Sequence, residues 1–93
     1  MEKVIQVRQE DIDGAVRGDG RNCPVALALK RELGGMWTVG ALAAAQNGSI
    51  RLFLPYAVRA FVKDFDHRLP VEPFSFSLNV EGLRLPNDFP SGL

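Results

Sequence analysis

The chain holds one cysteine, Cys23, and one histidine, His67. Cys23 stands immediately before Pro24 at the start of a predicted helix, with Arg21 two residues upstream. A helix N-terminus and a nearby cation both lower a thiol's pKa, so nucleophilic chemistry is conceivable there. Nucleophilic catalysis also needs a positioned base, and His67 lies at the far end of another predicted helix. Nothing in the sequence brings the two together. The competing reading makes Cys23 a small apolar residue sealing the helix start, as free cysteines commonly do, and it is the one favoured. His67 with Asp64 and Asp66 lacks the ligand number and spacing of metal sites. A histidine at a solvated helix C-terminus would instead complement the helix dipole. The Gly18-Asp19-Gly20 run fits neither the Walker pattern nor GxGxxG, although the loop precedes a helix N-terminus that could hold a small anion. No catalytic residue, cofactor or metal is therefore assigned.

A different kind of candidate lies further along. Asn47-Gly48 between two extended apolar runs is the preferred two-residue hairpin turn. With Gln46 paired to Ser49, Ala45 faces Ile50, Ala43 faces Leu52 and Ala41 faces Leu54, and Trp37 and Val39 extend that core side. The outer side then carries Thr38, Gly40, Leu42, Ala44, Gln46, Ser49, Arg51 and Phe53, with Leu42 directly opposite Phe53. A solvated sheet face should be polar, yet here an aliphatic and an aromatic meet beside an arginine. Aromatic and arginine side chains are enriched at protein interfaces. Leu42, Arg51 and Phe53 are thus the candidate protein-binding residues. Two readings compete with an interface: cover by the C-terminal tail through Leu85 or Phe89, and an ordinary exposed pair.

The elements that must position these residues follow from periodicity. Ile5 and Val7 alternate with Gln6 and Arg8 in a first strand whose Val4 joins the polar side. Acids in Gln9-Glu10-Asp11-Ile12-Asp13 suit the first turn of a short helix, with Ile12, Ala15 and Val16 toward the core. A second helix begins at Pro24, since proline tolerates the first helical position. Val25, Ala26, Leu29 and Leu33 form its core face, and Gly34-Gly35 ends it. Val58, Phe61, Val62 and Phe65 give the i, i+3, i+4, i+7 spacing of an amphipathic helix over Tyr56 to Asp66. Its outer face carries Arg59, Lys63, Asp64 and Asp66. Phe74, Phe76, Leu78 and Val80 alternate with polar residues in a last strand. The expected order is β-α-α-β-β-α-β, an α+β fold. One mixed or antiparallel sheet with helices packed on one face is the economical architecture. Residues 1–80 form the domain, and residues 81–93 form a proline- and glycine-containing tail.

Ninety-three residues fit one small domain with a limited core. Eleven basic and eleven acidic residues cancel, which counts against nucleic acid as partner, because such binders carry a basic excess. Arg17, Arg21, Arg51 and Arg59 would have to form a patch by folding for a nucleic-acid-associated adaptor role. One cysteine cannot make an intramolecular disulfide and fits a reducing compartment. No run has the form of a signal peptide or a membrane span. The expected location is cytoplasmic, with no membrane partner.

The first Ile-x-Val strand, Cys23-Pro24-Val25-Ala26-Leu27-Ala28-Leu29, Phe61-Val62-Lys63-Asp64-Phe65-Asp66 and Val71-Glu72-Pro73-Phe74-Ser75-Phe76 together resemble a family of small uncharacterised phage, prophage and bacterial proteins. The likeness covers roughly residues 4 to 80, and its motifs are specific as a set rather than singly. It implies context more than chemistry, since short phage accessory proteins often bind and disable host proteins, CRISPR effectors included. The leading expectation is a non-enzymatic protein-binding module, a phage-type accessory or anti-defence inhibitor that occludes a host protein. The same face could pair two copies in a homodimer. The alternative from another class is a small-ligand binder or cysteine-dependent enzyme using the Arg17–Cys23 loop.

Overall fold

The computed structural model describes residues 2–46 and 50–79, without the side chains of Ile50 and Arg51. Eight elements follow in order: β1 (Glu2–Val7), α1 (Gln9–Asp13), α2 (Pro24–Leu33), β2 (Trp37–Val39), β3 (Ala43–Gln46), β4 (Ile50–Phe53), α3 (Tyr56–Asp66) and β5 (Phe74–Asn79). The fold is α+β. It has one strand more than the periodicity implied, and two antiparallel sheets in place of one. The first sheet is the pair β1–β5, and the second is the meander β2–β3–β4.

Helix α2 is the centre of the molecule and touches β1, β2, α1 and α3. Its apolar circumference explains this position. Val25, Ala26, Ala28 and Leu29 are buried with Ile5 and Val7 from β1, Trp37 from β2 and Val58 from α3 in one core. Cys23 is the N-cap, its sulfur accepting the Ala26 N–H at 3.4 Å, and Pro24 occupies the first turn. Gly34 ends the helix at φ 75°, where a side chain would be strained. The Trp37 indole N–H then donates to the Gly34 carbonyl at 2.9 Å, which fixes the large ring at the start of β2.

Helix α1 is fastened by Asp11, which is only 5% exposed. Its carboxylate accepts the Arg8 N–H at 2.8 Å and pairs with Arg31 of α2. The Arg31 guanidinium also donates to the Gln6 carbonyl, so one arginine ties β1, α1 and α2 together. Val16, expected toward the core, is exposed, because α1 stops at Asp13 and the chain turns into the loop.

The meander departs from the sequence reading in an instructive way. The run from Trp37 to Gln46 is two antiparallel strands, not one. The Gly40 N–H donates to the Ala43 carbonyl at 2.8 Å across a turn at Ala41 and Leu42. Val39 therefore lies opposite Ala44 and Trp37 opposite Gln46. The turn reverses the facing of β3, so Ala44 and Gln46 are buried while Ala43 and Ala45 are half-buried. The β3–β4 register also differs by one residue. Gln46 pairs with Ile50, Ala44 with Leu52 and Ala43 with Phe53, so Leu42 and Phe53 are not direct partners. The expected Asn47-Gly48 turn lies outside the described residues, as do Val80 of the expected last strand and the tail 81–93.

Candidate functional site

Two features stand out on this frame, and they adjoin. The first is an apolar edge. Phe53 is 85% exposed at the end of β4, the outer strand of the meander. Leu42 in the β2–β3 turn is 58% exposed, and Tyr56 at the start of α3 is 76% exposed. The Leu54 N–H donates to the Leu42 carbonyl at 3.0 Å, which holds the turn beside the segment Phe53-Leu54-Pro55-Tyr56. Three of the seven large exposed apolar side chains of the described residues therefore gather at one corner. Leu54, between them, is buried and anchors the corner to the core. Arg51, the third expected member, aligns with Ala45 by its backbone, and its side chain is outside the described residues.

The second feature is a cleft of about 670 Å³ that opens beside this corner. One wall is α3, through Tyr56, Arg59, Ala60 and Lys63, with Asp64 and Asp66 following. The second wall is the loop before α2, through Gly18, Asp19, Gly20 and Cys23. The third is the β2–β3 turn, through Val39, Gly40, Ala41 and Leu42. Sequence reading placed Arg59, Lys63 and Asp64 on a solvated helix face. The turn and the loop fold over that face, and the only signal for it was the i, i+3, i+4, i+7 spacing of Tyr56, Arg59, Ala60 and Lys63.

The loop wall is firmly held. The Val39 N–H donates to the Gly20 carbonyl at 2.8 Å, and the Val16 N–H to the Asn22 carbonyl at 2.8 Å. The Gly18 N–H donates to an Asp66 carboxylate oxygen at 3.1 Å, and the Arg17 guanidinium lies over the Phe65 ring, donating to the Phe65 carbonyl. The Asp19 carboxylate accepts the Asn22 side-chain amide and the Arg21 N–H, both at 2.9 Å. These bonds, the Asn22 one above all, hold its pKa below the usual carboxylate range.

Cys23 and His67 both line this cleft, so the fold does bring them to one cavity. The chemistry expected of a helix N-terminal thiol does not follow. Burial pushes the Cys23 thiol up, and the nearby Asp66 charge acts in the same direction, against the lowering by backbone N–H groups. The sulfur is occupied as the α2 cap. His67 is exposed at the end of α3, where its N–H donates to the Lys63 carbonyl. Among the described residues no group of three or more His, Cys, Asp or Glu side chains is placed to hold a metal ion. No helix of the described residues is long and apolar enough to cross a membrane.

Fold and site together define a small α+β domain with an apolar corner beside a charged cleft. No protein-family model, curated protein or solved structure matches the chain.

Proposed function

We propose that this protein is a non-enzymatic binding module that engages a protein partner through the corner formed by Leu42, Phe53 and Tyr56. The observation that carries the reading is the 85% exposure of Phe53 on an outer strand. A phenylalanine left in water at the end of an outer strand forgoes about 2 kcal/mol of burial, a loss that contact with a partner recovers. Exposed aromatic side chains near aliphatic ones make the anchors of protein interfaces. Among the described residues no strand pairs with the outer edge of β4, an edge that a partner strand can use. Occlusion of a host protein, as in phage-type accessory and anti-defence proteins, is the finer form of this proposal. It rests on the sequence resemblance alone.

The test is affinity capture from bacterial lysate, read by mass spectrometry, with Phe53→Asp and Val4→Asp in parallel. Val4 is also apolar and exposed but lies on β1. A partner retained by Val4→Asp and lost by Phe53→Asp, with both variants folded, supports the corner. Equal capture by both variants sinks it. Sedimentation of the purified protein separates a second copy from a foreign partner, because a homodimer would dissociate in Phe53→Asp.

A further inference from the structure

We propose that the cleft beside α3 is a binding site for a small organic carboxylate, with Arg59 as the group that grips the anion. This inference does not rest on the protein-binding reading.

It begins from a polar atom that lacks a partner. Among the described residues, Arg59 Nε is the one buried side-chain nitrogen or oxygen without a hydrogen bond. Arg8, Arg17 and Arg31 donate to protein acceptors, and Arg21 and Arg68, which no such bond holds, are exposed to water. Arg59 has only the Tyr56 ring, whose centroid is 5.7 Å from its guanidinium carbon. An unpaired buried donor is costly, and native structures rarely tolerate one without a water, ion or ligand to satisfy it. No carboxylate of the described residues holds this guanidinium. A side-chain rotation that turns its Nε edge toward the cleft therefore breaks no hydrogen bond. That edge, with one terminal nitrogen, is the fork that matches a carboxylate in two parallel hydrogen bonds.

The surroundings narrow the ligand. Lys63 follows Arg59 by four residues and lines the same wall, so a second cation stands one turn along the helix. Val39, Ala41, Leu42 and Ala60 supply an apolar remainder that suits a hydrocarbon body. The volume lies within the range of small-molecule sites. Asp19, Asp64 and Asp66 also line the cleft, setting three carboxylates against two cations. This surplus of negative charge opposes a doubly charged phosphate more than a singly charged carboxylate. The geometry thus points to a monoanion with an apolar or hydrogen-bond-donating far end.

The experiment follows the Arg59 Nε–H and the Tyr56 and Ala60 amides by proton–nitrogen correlation NMR while benzoate is added. Phenyl phosphate and benzylamine, of similar size but different charge, are titrated in parallel. Arg59→Gln and Lys63→Gln are titrated with benzoate, their folds checked by the same spectra. The expected result is saturable benzoate binding in the millimolar range that moves the Nε–H and is weakened about tenfold in Arg59→Gln. A smaller loss is expected in Lys63→Gln. Phenyl phosphate should bind more weakly, and benzylamine should leave the Nε–H unmoved. Absence of saturation with benzoate would mean that water alone satisfies Arg59 and would overturn the site. Equal affinity in Arg59→Gln would remove Arg59 from it. Tighter binding of phenyl phosphate or benzylamine than of benzoate would overturn the carboxylate assignment.

Discussion

Two glycines in the loop before α2 should respond to alanine in different degrees, for different reasons. A Cβ on Gly20 would sit 2.5 Å from the Val39 carbonyl oxygen. Real Cβ contacts stay above 3.0 Å, so the loop and β2 would have to part by at least 0.5 Å, the difference between the two. The same two residues share the 2.8 Å bond from the Val39 N–H to the Gly20 carbonyl, which would stretch with them. Overpacking strain of about 1–3 kcal/mol and a weakened hydrogen bond of about 1 kcal/mol are offset by about 0.4–1 kcal/mol from the stiffer unfolded chain. The net expectation is a loss of about 2 kcal/mol. Gly18 has open space around its Cβ position but a φ of 74°. Alanine there meets the left-handed penalty of about 1–2 kcal/mol, again partly offset, for a net loss of about 0.5–1 kcal/mol. Urea unfolding followed by the fluorescence of buried Trp37 reads both. With a slope of about 1.3 kcal/mol per molar, the midpoint should fall by about 1.5 M for Gly20→Ala and about 0.5 M for Gly18→Ala. A neutral Gly20→Ala, or a Gly18→Ala that costs more, would refute the close approach of loop and β2.

Further expectations follow from the buried polar groups. Asp11→Ala removes the acceptor of the Arg8 N–H and the partner of Arg31, and should cost about 2–4 kcal/mol; calorimetry checks this, and a loss under about 1 kcal/mol would make the junction ornamental. Cys23 gives a pH dependence. Because its folded pKa is raised, the unfolded thiol ionises first, so its contribution is fully present below the ordinary thiol range of about 8.5 and declines as pH climbs from there toward the folded value. Urea midpoints for wild type and Cys23→Ser at neutral and alkaline pH should diverge in slope, and parallel slopes would argue against a buried thiol. A thiol reagent should label Cys23 only as fast as the protein opens.

Much of the frame was legible because side-chain size reported facing. Val58, Phe61, Val62 and Phe65 could belong only to one helix face, and Tyr56–Asp66 is the helix found. Pro24 and Gly34 fixed both ends of α2. Phe76 and Leu78 set the facing of β5. The meander was misread where that information runs out. Gly40, Ala41, Ala43, Ala44 and Ala45 are too small to favour one face, so a turn at Ala41-Leu42 left no break in the pattern. Once that turn was missed, Ala44 and Gln46 were assigned to the solvent side and Leu42 was set against Phe53. Exposure of Leu42 and Phe53 survived the error, since each is exposed for its own local reason. The cleft was illegible for another cause. Its walls come from three separate segments, and a charged strip on α3 looks the same whether water or a folded loop covers it.

The β1–β5 pair sets how the molecule meets mechanical force. Glu2 lies opposite Asn79 and Val7 opposite Phe74, so the ends of the described chain emerge side by side at one end of an antiparallel ribbon. Tension applied to those two ends peels the ribbon one residue pair at a time, with each hydrogen bond bearing the load alone. The exposed pair Glu2–Asn79 opens first, Leu78 opposite Lys3 is the first core side chain pulled out, and Phe76, Ile5 and Val7 follow. Force applied at Glu2 and Asn79 would therefore meet the core at the second residue pair, where Leu78 is buried.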